Sequence, residues 1–214
     1  MLLYYITDRQ QLAGPEPRRR ELLLARIAEA ARAGIDYIQL REKDLSAREL
    51  ESLAREAVRI VRDANHQTRL LINSRSDVAL ASGADGVHLP AGDIPASDAR
   101  AVWSSALARN VQRETRNAVV AVSCHTAEEV RLAEAEGADF AVFGPVFEKV
   151  GTPLRAGPDA LHTACLGRMP VLAIGGVTLQ NARACLEAGA AGIAAIRLFQ
   201  SGDLMKVTKE LRRT

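Results

Sequence analysis

His125 follows the apolar run Val119 to Val122 and stands directly before Thr126. Histidine is the side chain best suited to moving protons near neutral pH, so His125 is read as a general acid–base; a structural cap is the competing reading. His88 competes for the same role, but it lies within an apolar run and is expected to fill a core. His66 and His162 read as surface residues. Three cations, Arg41, Lys43 and Arg197, stand at or just past the ends of apolar runs and point to an anionic substrate. Gly175-Gly176 offers backbone N–H groups with no side chain in the way, and Thr178 is expected to cap a helix aimed at the same place. Paired with Arg197, this reads as a phosphate cradle, and a phosphate ester is the natural substrate class. The alternatives are a bare tight turn for the glycines and a solvated rim for Gln39, Arg41 and Lys43. Gln39 and Arg41 share one parity of a strand, so both can face inward. Cys124 reads as a small core residue, with no base placed to activate it. Asp93 is one carboxylate without an acidic partner, a poor Mg²⁺ site unless substrate phosphates complete it.

These residues need elements to hold them, and an internal repeat shows which. Gly34-Ile35-Asp36, Gly83-Ala84-Asp85, Gly137-Ala138-Asp139 and Gly189-Ala190-Ala191 each precede an apolar run, at steps of 49, 54 and 52 residues. A βα unit in a small barrel takes roughly 25 residues, so each step holds two units and four steps give eight strands. Each segment reads as a helix ended by glycine and followed by a buried strand. Strands are expected at 3–7, 37–41, 69–73, 86–89, 119–123, 139–143, 171–175 and 192–197. Ser46-x-x-Glu49 and Thr126-x-x-Glu129 read as capping boxes. Leu50, Leu53, Ala54, Ala57, Val58 and Val61 make one apolar helical stripe. The expectation is a single (β/α)₈ TIM barrel over residues 1–214, with the site at the strand C-termini. A doubly wound open sheet is the alternative. The polar segment 104–118 reads as a helix extension or a surface loop.

Composition narrows the rest. The chain has 214 residues, 48% of them hydrophobic, which suits one domain able to bury a core without staples. Net charge is +2, without a basic stripe and interleaved aromatics, so no nucleic-acid partner is expected. Three widely spaced cysteines fit neither a disulfide framework nor a zinc site. The chain enters a strand-like run at once and has no apolar run of membrane length, so the expectation is a cytoplasmic protein without a membrane partner. A homo-oligomer is compatible with everything read here.

The motifs, taken in order, resemble the thiamine phosphate synthase / thiazole tautomerase family. The resemblance rests on Tyr5-Ile6-Thr7-Asp8, Gln39 to Lys43, Ala84 to Leu89, Val122 to His125, Phe143 to Phe147 and Ala173 to Val177, and it spans nearly the whole chain. It implies a TIM barrel acting on a thiazole ethyl phosphate in thiamine biosynthesis. By carry-over, Gln39, Arg41, Lys43, Asn73, Ser123 and Gly144 contact substrate. Gly175, Gly176, Ile196 and Arg197 contact phosphate, and His125 is catalytic.

The family has two branches. The synthase couples an aminopyrimidine methyl pyrophosphate to the thiazole phosphate and uses Mg²⁺ held by two acidic positions. Here Ser74 stands at one of them and Asp93 keeps the other. The synthase's Thr-x-Thr-Lys run after strand 6 is replaced by Phe147 to Thr152, and its strand 8 serine by Arg197. The tautomerase branch resembles this chain in Leu89 to Gly92 and Val146 to Glu148. The expectation is therefore a tautomerase that needs no cofactor and moves a proton to aromatise a carboxylated thiazole phosphate. The alternatives are a Mg²⁺-dependent synthase, with Asp93 on the metal, and a non-catalytic binder of thiamine intermediates.

Overall fold

The computed structural model describes residues 1–108, 118–147 and 156–214. The short apolar runs form strands because both faces find cover, one in the barrel interior and one under helices. The strands are β1 Leu2–Ile6, β2 Tyr37–Leu40, β3 Arg69–Asn73, β4 Gly86–Leu89, β5 Val119–Cys124, β6 Phe140–Phe143, β7 Val171–Ala173 and β8 Gly192–Ala195. Each pairs in parallel with the next, and β8 returns to β1, closing the barrel. Helices α1 Glu16–Arg32, α2 Ala47–Ala64, α3 Ser76–Ser82, α4 Ala96–Ala108, α5 Ala127–Ala135, α6 Gly157–Ala164 and α7 Ala182–Glu187 alternate with the strands. The short α8 Arg197–Gln200 and α9 Leu204–Leu211 follow β8. This is the (β/α)₈ barrel that the repeat implies, not an open sheet.

Alternation along the strands splits the core in two. Tyr4, Ile6, Leu71, Ala121, Phe140, Val142, Leu172 and Ala194 fill the barrel interior. Leu3, Tyr5, Ile38, Leu40, Phe143 and Ile193 face outward under the helices. All six residues of the α2 stripe are buried there. Burying a leucine or valine is worth about 1.5–3 kcal/mol, so the stripe anchors α2.

The four repeat glycines all have positive φ: 78, 77, 81 and 101° at Gly34, Gly83, Gly137 and Gly189. The aspartates two residues on do more than mark the repeat. Asp36 accepts the Leu3 N–H at 2.7 Å, Asp85 the Leu70 N–H at 2.9 Å and Asp139 the Val120 N–H at 2.7 Å. Each also pairs with an arginine: Arg212, Arg69 and Arg100 respectively.

Several expectations need correction. β7 and β8 each stop two residues early, at Ala173 and Ala195. Gly175 and Gly176 take φ of 93° and 64°, which ends the strand geometry. Ile196 is already in the right-handed helical region, so Arg197 is the first residue of α8 and not the end of a strand. Thr178 is not a helix cap: α7 begins at Ala182, and the Asn181 side chain accepts the Thr178 N–H at 2.7 Å. Ser46 and Glu49 form both halves of a capping box. Thr126 accepts the Glu129 N–H, but the Glu129 carboxylate reaches back one residue further, to the His125 N–H at 2.5 Å. Residues 104–108 extend α4. The rest of the 104–118 segment up to 117, and the stretch from Glu148 to Thr152, lie outside the described residues. Among the described residues, no helix is long and apolar enough to cross a membrane.

Candidate active site

At the β1–β2 corner, buried polar groups set the direction of the chain. Thr7 and Glu42 have outward parity, and the Thr7 hydroxyl donates to Glu42 at 2.6 Å. Arg9 is buried beside them, donating to Glu42 at 3.1 Å, to both Asp44 oxygens at 2.6 and 2.7 Å, and to Glu16 at 2.6 Å. Burial raises the Glu42 carboxyl above its ordinary value, while Thr7 and Arg9 restrain the rise. Arg9 holds Asp44 down at about 2. With Glu42 pinned outward, Arg41 takes the opposite parity, toward the mouth, and its N–H donates to Thr7 Oγ1 at 3.0 Å. Lys43 is exposed on the rim. Among the described residues, Arg41, Lys43 and Arg197 form no ion pair, whereas Arg9 has three carboxylate partners. Free cations at a mouth are positioned to meet an incoming anion.

The β7–β8 corner is open. A cleft of about 490 Å³ is lined by residues 174–178 and 194–198, with Gln11 and Ser201. It brings together the expected phosphate residues Gly175, Gly176, Ile196 and Arg197, and adds Thr178. A Cβ on Gly175 would fall 2.5 Å from the Pro145 Cα, so no larger residue fits that turn. The Gly175 and Gly176 N–H groups have no partner among the described residues. The first N–H groups of α8 line the same space and lack intrahelical partners by construction. Such a set of donors suits a phosphate.

Beneath the mouth lies the floor. Gln39 Nε2 donates to the Tyr4 hydroxyl at 3.1 Å. The same hydroxyl lies 3.1 Å from His88 Nδ1, and His88 Nε2 lies 2.7 Å from Ser123 Oγ. Burial, then the positive charge of Arg41, pushes His88 down to about 3, so it is neutral at ordinary pH. Asn73 sits in register with His88 on the adjoining strand, and its side chain has no hydrogen bond among the described residues. Above Ser123, His125 is exposed, with its Nδ1 2.6 Å from the Gly144 carbonyl. A carbonyl only accepts, so Nδ1 carries the proton and Nε2 offers its lone pair. Gly144 touches the cleft in turn: a Cβ there would fall 2.1 Å from the Ile174 carbonyl. Cys124 is buried, and burial raises its thiol to about 12, which leaves it inert.

His125, Gly144, Gln39, Ser123, Asn73 and the cleft residues thus form one connected mouth. Lys43 is joined to them by no hydrogen bond or ion pair among the described residues. Tyr4, Arg9 and Glu42 were not foreseen as parts of the site. Tyr4 sits in an apolar run, and the other two serve partners distant in sequence. For Mg²⁺, the donors are the Asp93 carboxylate and the Ser74 hydroxyl, which donates to it at 2.6 Å. Ser74 holds a φ of 61°, unusual for a residue with a Cβ. No cluster of three or more acidic, histidine or cysteine side chains suited to a metal occurs among the described residues. Two hard oxygen donors still fit Mg²⁺, which is commonly bound by one or two carboxylates together with substrate phosphates.

A family model described as thiamine monophosphate synthase matches residues 3–199. The chain is 42% identical to a putative thiamine-phosphate synthase from Geobacter sulfurreducens, covering 91% of this chain and 84% of that one. It is 37% identical to a putative thiamine-phosphate synthase 2 from Aquifex aeolicus, covering 92% and 96%. Among solved structures, it is similar to a thiamine phosphate pyrophosphorylase from Pyrococcus furiosus, with a TM-score of 0.79 and 31% identity over 99% of this chain and 94% of that one.

Proposed function

The chain belongs to the thiamine monophosphate synthase family, and from that premise we propose that it acts on a phosphate ester of the thiazole in thiamine biosynthesis, first as a synthase. The observation that carries the phosphate ester is the β7–β8 cleft, where the Gly175 and Gly176 N–H groups, Ile196 and Arg197 converge. The names of the relatives support the synthase, which joins an aminopyrimidine methyl pyrophosphate to that thiazole and releases pyrophosphate. On this reading Arg41 and Lys43 meet the pyrophosphate, while Gln39, Asn73 and Ser123 orient the pyrimidine. Asp93, with Ser74, would hold Mg²⁺, which supplies positive charge for the leaving group when bound.

Two local observations favour a second reading, the tautomerase. Ser74 gives the Mg²⁺ position one carboxylate in place of two, and His125 Nδ1 is engaged by the Gly144 carbonyl while Nε2 has no partner among the described residues. His125 Nε2 would take the proton from the carboxylate-bearing ring carbon and return it at the exocyclic position, with Arg41 holding the carboxylate. Turnover of both substrate sets, each with Mg²⁺ and with chelator, separates the two. The synthase reading expects pyrophosphate release that chelator abolishes. Aromatisation of the carboxythiazole phosphate in chelator, with no pyrophosphate release under either condition, overturns it in favour of the tautomerase.

A further inference from the structure

We propose that Gln39, Tyr4, His88 and Ser123 form a one-way hydrogen-bond chain across the barrel floor, which makes Ser123 a donor and selects a ligand with an acceptor atom above it. The chain starts at Gln39, because its Nε2 can only donate to the Tyr4 oxygen. Tyr4 is wholly buried, and its one proton needs an acceptor. His88 Nδ1, at 3.1 Å, supplies it. If Nδ1 carried a proton instead, the Tyr4 hydroxyl would face only donors, and a buried O–H would go unsatisfied. A neutral imidazole has one N–H, so Nε2 bears it and donates to Ser123 Oγ at 2.7 Å. Burial and the charge of Arg41 both oppose a second proton on this ring.

Ser123 therefore accepts a hydrogen bond from below and keeps its own proton to donate. It makes no other side-chain hydrogen bond among the described residues, and it is half-buried at the floor of the mouth. A flat ring settling on it brings a lone pair, from a ring nitrogen or a carboxylate oxygen, or else buries an unsatisfied hydroxyl. Tyr4 and His88 touch no ligand on this account and are positioning residues. The ligand assignment rests on the thiazole or pyrimidine reading above, but the polarity of the chain does not.

The ring nitrogens of His88 in the ligand-free protein, followed by ¹⁵N NMR from about pH 5 to 8, test the polarity directly. The expected result is the Nε2–H tautomer throughout. An Nδ1–H tautomer or a charged ring overturns the proposal, whichever reaction the enzyme performs. Tyr4→Phe removes the hydrogen bond donated to Nδ1, so the Nδ1 resonance should move toward that of an unbonded ring nitrogen in that variant. A merely space-filling Tyr4 would leave that resonance unchanged, which also overturns it. For the substrate that turns over, Ser123→Ala should raise KM about tenfold. An unchanged KM with the expected tautomer would remove the ligand assignment and leave the chain polarity standing.

Discussion

The two ends of the barrel are built on opposite plans. At the N-terminal end, three of four quarters repeat one device: an aspartate accepts the first free N–H of the preceding strand and pairs with an arginine. The fourth quarter has Ala191 in that place. At the C-terminal end two corners already differ. One corner holds a buried arginine among three carboxylates, and a neighbouring corner is an open cleft lined by glycines. The repeat persists where it closes the scaffold, and the corners differ at the end where barrels of this kind carry their sites.

That contrast can be broken from either end. The largest expected effect is at the top. On the tautomerase substrate, His125→Ala should lower kcat by about 10²–10⁴-fold, because a positioned acid–base is removed. Its melting temperature should stay near that of the parent, since His125 is exposed. Full activity in that variant would remove His125 from catalysis.

Acid should act through the floor. His88 is lowered from 6.5 to about 3, chiefly by desolvation and then by Arg41. A group depressed in the folded state contributes stability that is complete above its unfolded value. That contribution is lost as pH falls from about 6.5 toward 3. The slope from this one group approaches about 1.4 kcal/mol per pH unit. Urea unfolding over that range should show the slope in the parent and lose most of it in His88→Gln.

At the bottom, Asp139→Ala should cost about 1–3 kcal/mol by leaving the Val120 N–H without its acceptor. kcat should hold at a temperature where the variant is folded. A variant that keeps its stability and loses its activity would invert the division of labour. The smallest effect sharpens the comparison: Ala191→Asp should offer the Val171 N–H the acceptor its counterparts have. Thermal unfolding should show a gain of up to about 1 kcal/mol, with no change in KM.

The barrel was legible because its signals are local. Buried strands read as apolar runs, α2 as a stripe, and helix ends as glycines, and all of these depend on near neighbours in sequence. Errors arose where geometry departs from pattern. Thr178 looks like a cap, but a turn stabilised by Asn181 comes first. Arg197 looks like a strand end, but the backbone turns helical at Ile196. Glu129 looks like half of a capping box, but it holds the His125 N–H. The least legible parts were side chains whose partners are remote in sequence. Tyr4 meets His88 across 84 residues, and Arg9 meets Glu42 across 33. His88 does fill the core, as its setting implied, yet both of its nitrogens are engaged. No periodicity encodes such pairs.

The backbone at Ser74 has a consequence for how such barrels diverge. Its left-handed turn suits asparagine and aspartate better than most side chains, and its hydroxyl already lies against Asp93. Exchanging that serine for an acidic residue would require no rebuilding of the loop. A lineage carrying this turn can gain or shed its second anionic group in a single replacement, leaving the rest of the molecule as it was.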